Sequence, residues 1–235
     1  MDPNFRYKGK IRSSTIVKSV LQAFKDMLLS GELKPGSRLP SENELVEHFG
    51  VGKSSIREVI KMLDAAGVVE SRQGRGTYVC SAPKEDTLNP LIFQMILQQG
   101  TRTELLQFRQ IYETAYTFMA LETMNDEDRE AIRAVLHPAE DPDQNTDLIT
   151  PQHDADFHRA VLRSTHNPYI IRTGEILIEL FEETLRNATS QRNVQEIEGR
   201  TYHEEIFEAM CRKDKRGLKA ALDKSFEVYA QRYIY

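Results

Sequence analysis

The apolar positions between residues 13 and 66 fall into three helical groups. From Ser13 to Leu29, the residues Ile16, Val20, Phe24 and Met27 step by three or four, which places them on one helical face. Gly31 ends this segment, and Lys34-Pro35-Gly36 is a turn. Ser41-Glu42-Asn43-Glu44 has capping-box spacing, with Ser41 as the cap and Glu44 reaching back to it, and so predicts a short helix to about His48. Gly50-Val51-Gly52 turns the chain. A third helix, about Lys53 to Ala66, carries Ile56, Val59, Ile60 and Leu63 on one side and Lys53, Ser54, Arg57 and Lys61 on the other. The pattern then changes from helical to β-like. Val68–Ser71 and Thr77–Cys80 flank Gln73-Gly74-Arg75-Gly76, which reads as a hairpin. Two helices joined by a tight turn and followed by a hairpin are the order of a winged helix-turn-helix, a fold that lays one helix in a DNA groove.

The polar, proline-containing run Ser81–Asp86 reads as a linker. Beyond it the pattern is helical to the end, with candidate helices at Leu88–Leu97, Thr101–Met124, Asp126–Leu136, Gln152–Thr165, Pro168–Ala188, Val194–Arg212 and Asp214–Tyr233. His137–Pro151 reads as a loop, and no β-like stretch interrupts the helices. The expected fold is therefore mainly α: a winged helix-turn-helix over 1–80, a linker over 81–86, and an all-α bundle of six or seven helices over 87–235.

Composition changes this picture little. A chain of 235 residues with 40% hydrophobic and 29% charged residues is ordinary globular protein. No apolar run approaches the roughly 18–20 residues that span a bilayer, and the polar, basic N-terminus lacks a signal-peptide core. The isolated Cys80 and Cys211 have no metal-type spacing and suit a reducing cytoplasm. The net charge of −5 hides an asymmetry: residues 1–80 hold 13 Lys+Arg against 9 Asp+Glu, and residues 81–235 hold 18 against 27. A basic head on an acidic body fits nucleic-acid binding by the head.

The N-terminal residues of the second helix of such a motif meet base edges. Here they are Lys53, Ser54, Ser55 and Arg57, and Arg57 is the candidate for a bidentate grip on guanine. Arg38 is placed for phosphate, and Gln73 and Arg75 at the hairpin tip for a minor groove or backbone. Further on, Asp154 and His158 are one helical turn apart and can face one ion, with His203 on a later helix as a third donor. A carboxylate with imidazoles suits Zn or Ni, although such residues on helices are more often plain polar groups. Arg109 suits the grip on a carboxylate, or equally a surface ion pair with Glu113. Arg102, Arg186 and Asn187 are weaker candidates, and His153 and His166 read as surface residues.

The run from Pro35-Gly36 through Arg38-Leu39-Pro40-Ser41-Glu42, Phe49-Gly50-Val51, Ile56-Arg57-Glu58, Leu63, Gly67 and the Gly74/Gly76 wing resembles the DNA-binding domain of GntR-type bacterial regulators. Two positions depart from the family pattern: Asn43 stands where Arg is frequent, and Gly52-Lys53 where Ser-Arg is usual. Arg109 with Glu113, Asp154-Ala-Asp-Phe-His158, Asn167-Pro168 and His203-Glu-Glu-Ile206 resemble the helical FCD domain of the FadR branch. That resemblance implies a metal held by one Asp and three His at the base of a pocket for a small acid. Asp154, His158 and His203 match three of the ligands, and Ser225 stands at the fourth. It also implies a homodimer reading an inverted-repeat operator, with Arg109 and Ser225 facing the effector.

The expected protein is a cytoplasmic transcription regulator, a repressor by analogy, controlled by a small organic acid. Two alternatives remain open at this point. One is a constitutive dimeric DNA-binding protein whose helical domain does not respond to ligand. The other is a metalloenzyme, which a three-ligand site permits but which lacks an HExxH helix.

Overall fold

Val20, Phe24 and Met27 of α1 (Ile16–Leu29) pack with Leu45 and Phe49 of α2 (Glu42–Phe49) and with Ile56, Val59 and Leu63 of α3 (Lys53–Ala65). These are the apolar faces that the spacing predicts, except that Ile16, the first residue of α1, is exposed. The computed structural model describes residues 16–82, 90–98, 100–138, 148–191 and 197–233. The chain divides into two units, 1–90 and 91–235, each with a core of its own. Positions 83–86 of the expected linker lie outside the described residues.

In the first unit the capping box is formed as the spacing requires. Glu44 N donates to Ser41 Oγ at 3.4 Å, and Ser41 N donates to Glu44 Oε2 at 2.7 Å. Gly50 closes α2 in the left-handed region at φ 64°, which lets α3 start three residues later. β1 (Val69–Arg72) pairs antiparallel with β2 (Gly76–Val79), and Val69 opposite Val79 faces the core. The wing tip bends at Gly74 and Gly76. A Cβ at Gly76 would stand 3.0 Å from Arg38 Nε, so the glycine makes room for that side chain along the hairpin.

The second unit holds α4 (Pro90–Leu97), α5 (Arg102–Thr123), α6 (Asp126–Leu136), α7 (Pro151–Arg163), α8 (Pro168–Gln191), α9 (Arg200–Cys211) and α10 (Lys215–Tyr233). Its core joins Tyr116 and Leu121, Ile132 and Leu136, Phe157 and Leu162, Ile206 and Met210, and Leu218 and Leu222. No helix among the described residues is long and apolar enough to cross a membrane.

Two expectations are corrected here. The helical region is not free of strands: β3 (Leu148–Ile149) pairs antiparallel with β4 (Ile197–Glu198). A ladder two residues long is too short to leave an alternating pattern in the sequence. Of the helix expected from Val194, positions 194–196 lie outside the described residues, residues 197–198 give their backbone groups to this ladder, and α9 starts at Arg200. Gly199 then lies against β3, where a Cβ would meet Ile149 Cδ1 at 2.6 Å.

Candidate functional site

The exposed face of α3 begins at Gly52, which caps the helix without a side-chain bond. Lys53, Ser54 and Arg57 are exposed there and Ser55 is half-buried. α2 organises two of them. Arg57 Nε donates to Glu42 Oε2 at 2.9 Å, Lys53 Nζ donates to Asn43 Oδ1 at 3.0 Å, and Lys53 Nζ lies 3.9 Å from Glu42 Oε2. The two departures from the family pattern, Asn43 and Lys53, are thus bonded to each other. Glu42 was not among the candidate residues. The signal was available in its position one turn-motif away from Arg57, but a glutamate beside a capping serine reads first as part of the cap. Gln73, Arg75 and Arg38 are exposed on the same unit, and Tyr78 Oη donates to the Arg75 carbonyl at 3.3 Å, bracing the wing tip.

In the helical unit α5, α7, α9 and α10 converge on one buried polar cluster. Asp154 and His158 come from α7 at helical spacing, His203 from α9, and Arg109 and Glu113 from α5. The donor atoms of Asp154, His158 and His203 all lie within 4.8 Å of one another. His203 Nε2 lies 3.3 Å from Asp154 Oδ1, and Phe157 stacks on the His203 ring at 4.0 Å. Ser225 of α10 lines the same small cavity, with Tyr202 and Tyr229. The cavity measures about 20 Å³, room for one ion or one water.

Arg109 is the centre of this cluster. Its Nε donates to Glu113 Oε1 at 2.7 Å, and its Nη2 donates to Asp154 Oδ2 at 3.0 Å and lies 3.0 Å from His158 Nε2. The guanidinium carbon lies 4.8 Å from the Tyr229 ring centroid and 5.5 Å from that of Phe181. Nη1 is buried and has no hydrogen-bond partner among the described residues. The ion pair with Glu113 that the spacing allows is present, but it is buried, with only 6% and 3% of the side chains exposed. A surface pair would contribute little, whereas this one is shielded from water and tied to the metal-type ligands.

The charges follow from this packing. Burial works to raise the Asp154 pKa, but the Arg109 charge and the imidazoles beside the carboxylate outweigh it and hold the carboxyl well below its usual range. Burial pushes the His203 imidazole down to about 4, so it is neutral at physiological pH, the form that binds a metal. Burial likewise pushes the Tyr229 phenol up to about 12. An ionised carboxylate with imidazole nitrogens, all buried and converging, fits a divalent ion of the Zn or Ni type. The donor set has three members, because the Ser225 hydroxyl offers neither a carboxylate nor an imidazole.

The weaker candidates separate from the cluster. Arg102, at the start of α5, lines a different groove with α4 and α8. Arg186 is exposed and pairs with Glu182, and the Asn187 side chain lies outside those described. His166 is exposed as expected, 2.8 Å from Asp128 Oδ2. His153 is half-buried, with Nε2 2.6 Å from the Val135 carbonyl near the end of α6.

Comparison with known proteins assigns both units. Residues 16–79 match the family of bacterial regulatory proteins called gntR, and residues 104–227 match the FCD domain. The chain belongs to the GntR family of bacterial regulators, in its FCD-bearing, FadR-type branch. Among similar proteins, the HTH-type transcriptional regulator LutR of Bacillus subtilis (strain 168) is 28% identical over 202 residues, covering 83% of this chain and 91% of LutR. The galactonate operon transcriptional repressor of Escherichia coli (strain K12) is 27% identical over 197 residues, covering 80% of this chain and 83% of that protein. A solved structure, Streptococcus agalactiae GntR, matches 92% of this chain and 99% of its own with a TM-score of 0.60 at 22% identity, and so shares the fold. This GntR-family chain is a transcription regulator and not an enzyme. The metalloenzyme alternative is set aside.

Proposed function

We propose that this regulator is a cytoplasmic repressor whose operator binding is controlled by a small organic acid bound in the helical unit. The observation that carries the reading is Arg109: a buried guanidinium with an unpartnered Nη1, set against three metal-type ligands, in a chain with a DNA-binding head. Pairing Nη1 with a carboxylate would relieve a buried donor that has no hydrogen-bond partner among the described residues. Asp154, His158 and His203 hold a divalent ion, Zn or Ni, and Ser225 faces the acid. The ion, when bound, supplies a Lewis-acid centre for an oxygen of the acid. A relative named for the galactonate operon fits a sugar acid or similar small carboxylate as the effector class.

On the DNA side, Lys53, Ser54, Ser55 and Arg57 read the major groove, Arg38 holds phosphate, and Gln73 and Arg75 reach a minor groove or backbone from the wing. Two copies of the chain read an inverted repeat. The exposed apolar side chains Leu97, Phe108 and Ile111 of the helical unit support self-association there. The acid acts by binding one arrangement of the two heads better than another.

The small cavity favours one competing reading. With about 20 Å³ to spare it admits an acid only if side chains move, as a constitutive dimeric DNA-binding protein would never require. Elemental analysis of the purified chain, with thermal shift against a panel of small acids, separates the two. One metal per chain and an acid that raises the melting temperature and changes operator affinity support the gated regulator. No metal and no stabilising acid would leave the constitutive reading.

A further inference from the structure

His158 shows what Arg109 does to the metal site. Arginine has only donors, so at 3.0 Å from Arg109 Nη2 the His158 Nε2 must be the acceptor, presenting its lone pair. The imidazole proton is then on Nδ1, which is 3.1 Å from Tyr116 Oη. Neutral imidazole has one nitrogen lone pair to give. A metal–imidazole bond through Nε2 would use that lone pair. The second N–H of Nη2 points to Asp154 Oδ2 at 3.0 Å, so the same nitrogen also holds the carboxylate whose Oδ1 faces the imidazoles. A single guanidinium nitrogen therefore spans two of the three residues that would bind the ion.

We propose that Arg109 and the divalent ion compete for His158 and Asp154, so that the ion seats only when the guanidinium swings off the cluster. This rests on the metal reading given above. The Glu113 bond to Nε, one turn along α5, is the pivot, and the faces of Tyr229 and Phe181 guide the movement. The same swing frees Nη2 as well as Nη1 for a carboxylate and enlarges a cavity that is otherwise ion-sized. Ion and acid then assist one another. An acid that draws Arg109 away raises metal affinity, and by linkage the metal raises acid affinity by the same factor. The fourth ligand position, occupied by Ser225, makes the contest close, because the ion has one protein ligand fewer with which to outbid the arginine.

The test is zinc affinity of the full chain, stripped of metal and titrated against a chromophoric chelator. The double variant Arg109→Met with Glu113→Gln removes the competitor without leaving the Glu113 carboxylate unpaired. It should bind zinc about tenfold tighter or more. Equal or weaker affinity in a variant with wild-type circular dichroism overturns the competition while the metal reading stands. If neither protein binds zinc, the metal reading falls and the competition with it. Crystals of the unaltered chain grown with zinc decide the point without a variant, and they separate shared ligands from simple charge repulsion. The expected result is zinc on Asp154 and His158 with the guanidinium displaced. Zinc on those residues with Arg109 Nη2 still bonded to His158 Nε2 would overturn the proposal.

Discussion

Glu42 holds Arg57 across the turn between α2 and α3, with Oε2 accepting from Nε at 2.9 Å. The bond leaves the outer nitrogens of Arg57 able to face a base edge and orients the guanidinium before DNA arrives. It also sets a negative charge beside Lys53. Glu42→Ala should therefore raise affinity for random DNA several-fold while narrowing the ratio of operator to random binding, since a released arginine finds phosphates as readily as bases. Fluorescence anisotropy at fixed salt, with an operator selected from random sequences, measures both quantities. An unchanged ratio would show that Glu42 does not position Arg57.

Arg57→Ala removes the reader itself. Loss of one bidentate contact to guanine is worth about 1–3 kcal/mol of discrimination, so the operator should bind on the order of tenfold or more weakly and tolerate substitution at one base pair of each half-site. Competition with singly substituted operators locates that base pair. Uniform weakening across all of them would make Arg57 a phosphate contact.

The sequence was most legible where the structure is local and periodic. The helix–turn–helix order follows from Val20, Phe24, Ile56 and Val59 at helical spacing, from the Ser41–Glu44 cap and from the glycines that turn the chain. Asp154 and His158 were visible together because one turn of α7 separates them. What was hidden depends on long-range approach. The β3–β4 ladder pairs positions 48 and 50 residues apart and is too short to carry a period. The reach of Arg109 from α5 to His158, 49 residues on, has no local signature: spacing alone offers Glu113 as the partner, and only the packing of α5 on α7 adds the other two. Ser225 aligned with a ligand position by resemblance, and its place on the cavity wall is a consequence of α10 packing beside α9.

Gly174 marks the close approach of α8 to α7. A Cβ there would stand 2.5 Å from Leu162 Cδ1 and 2.6 Å from Cδ2, and Leu162 is fully buried. Alanine gains roughly 1 kcal/mol in helix propensity, but overpacking of this kind costs about 1–3 kcal/mol, so Gly174→Ala should lower the melting temperature by a few degrees. Calorimetry of the full chain reads this directly. A rise in melting temperature would mean that the two helices separate at little cost.

Tyr229 gives a pH dependence on the alkaline side. Burial raises its folded pKa to about 12, above the value of about 10 for an exposed phenol. The folded state thus holds the proton more tightly than the unfolded state. The resulting stability is present in full below pH 10 and is lost as pH rises towards 12. Ultraviolet titration at about 295 nm should show a late-ionising fraction of the tyrosines, which Tyr229→Phe reduces by one phenol. A full complement ionising near 10 in the folded protein would mean that water reaches this wall of the cavity.

His158→Ala tests the ligand assignment apart from DNA binding. The imidazole contributes one of three donors, and it lies in the helical unit, remote in sequence from the reading helix α3. Its removal leaves Asp154 and His203, too few to hold a divalent ion against buffer and water. Metal content should fall from about one per chain to near zero, and no acid of the panel should then change operator affinity. Operator binding without acid should stay within about twofold of wild type, because the contacts to DNA are untouched. Arg109 loses its acceptor at Nε2, so a drop in stability of about 1–3 kcal/mol accompanies the change. For that reason metal content is measured on protein shown by circular dichroism to be folded. Wild-type metal content in folded His158→Ala would remove the assignment of this cluster as the metal site.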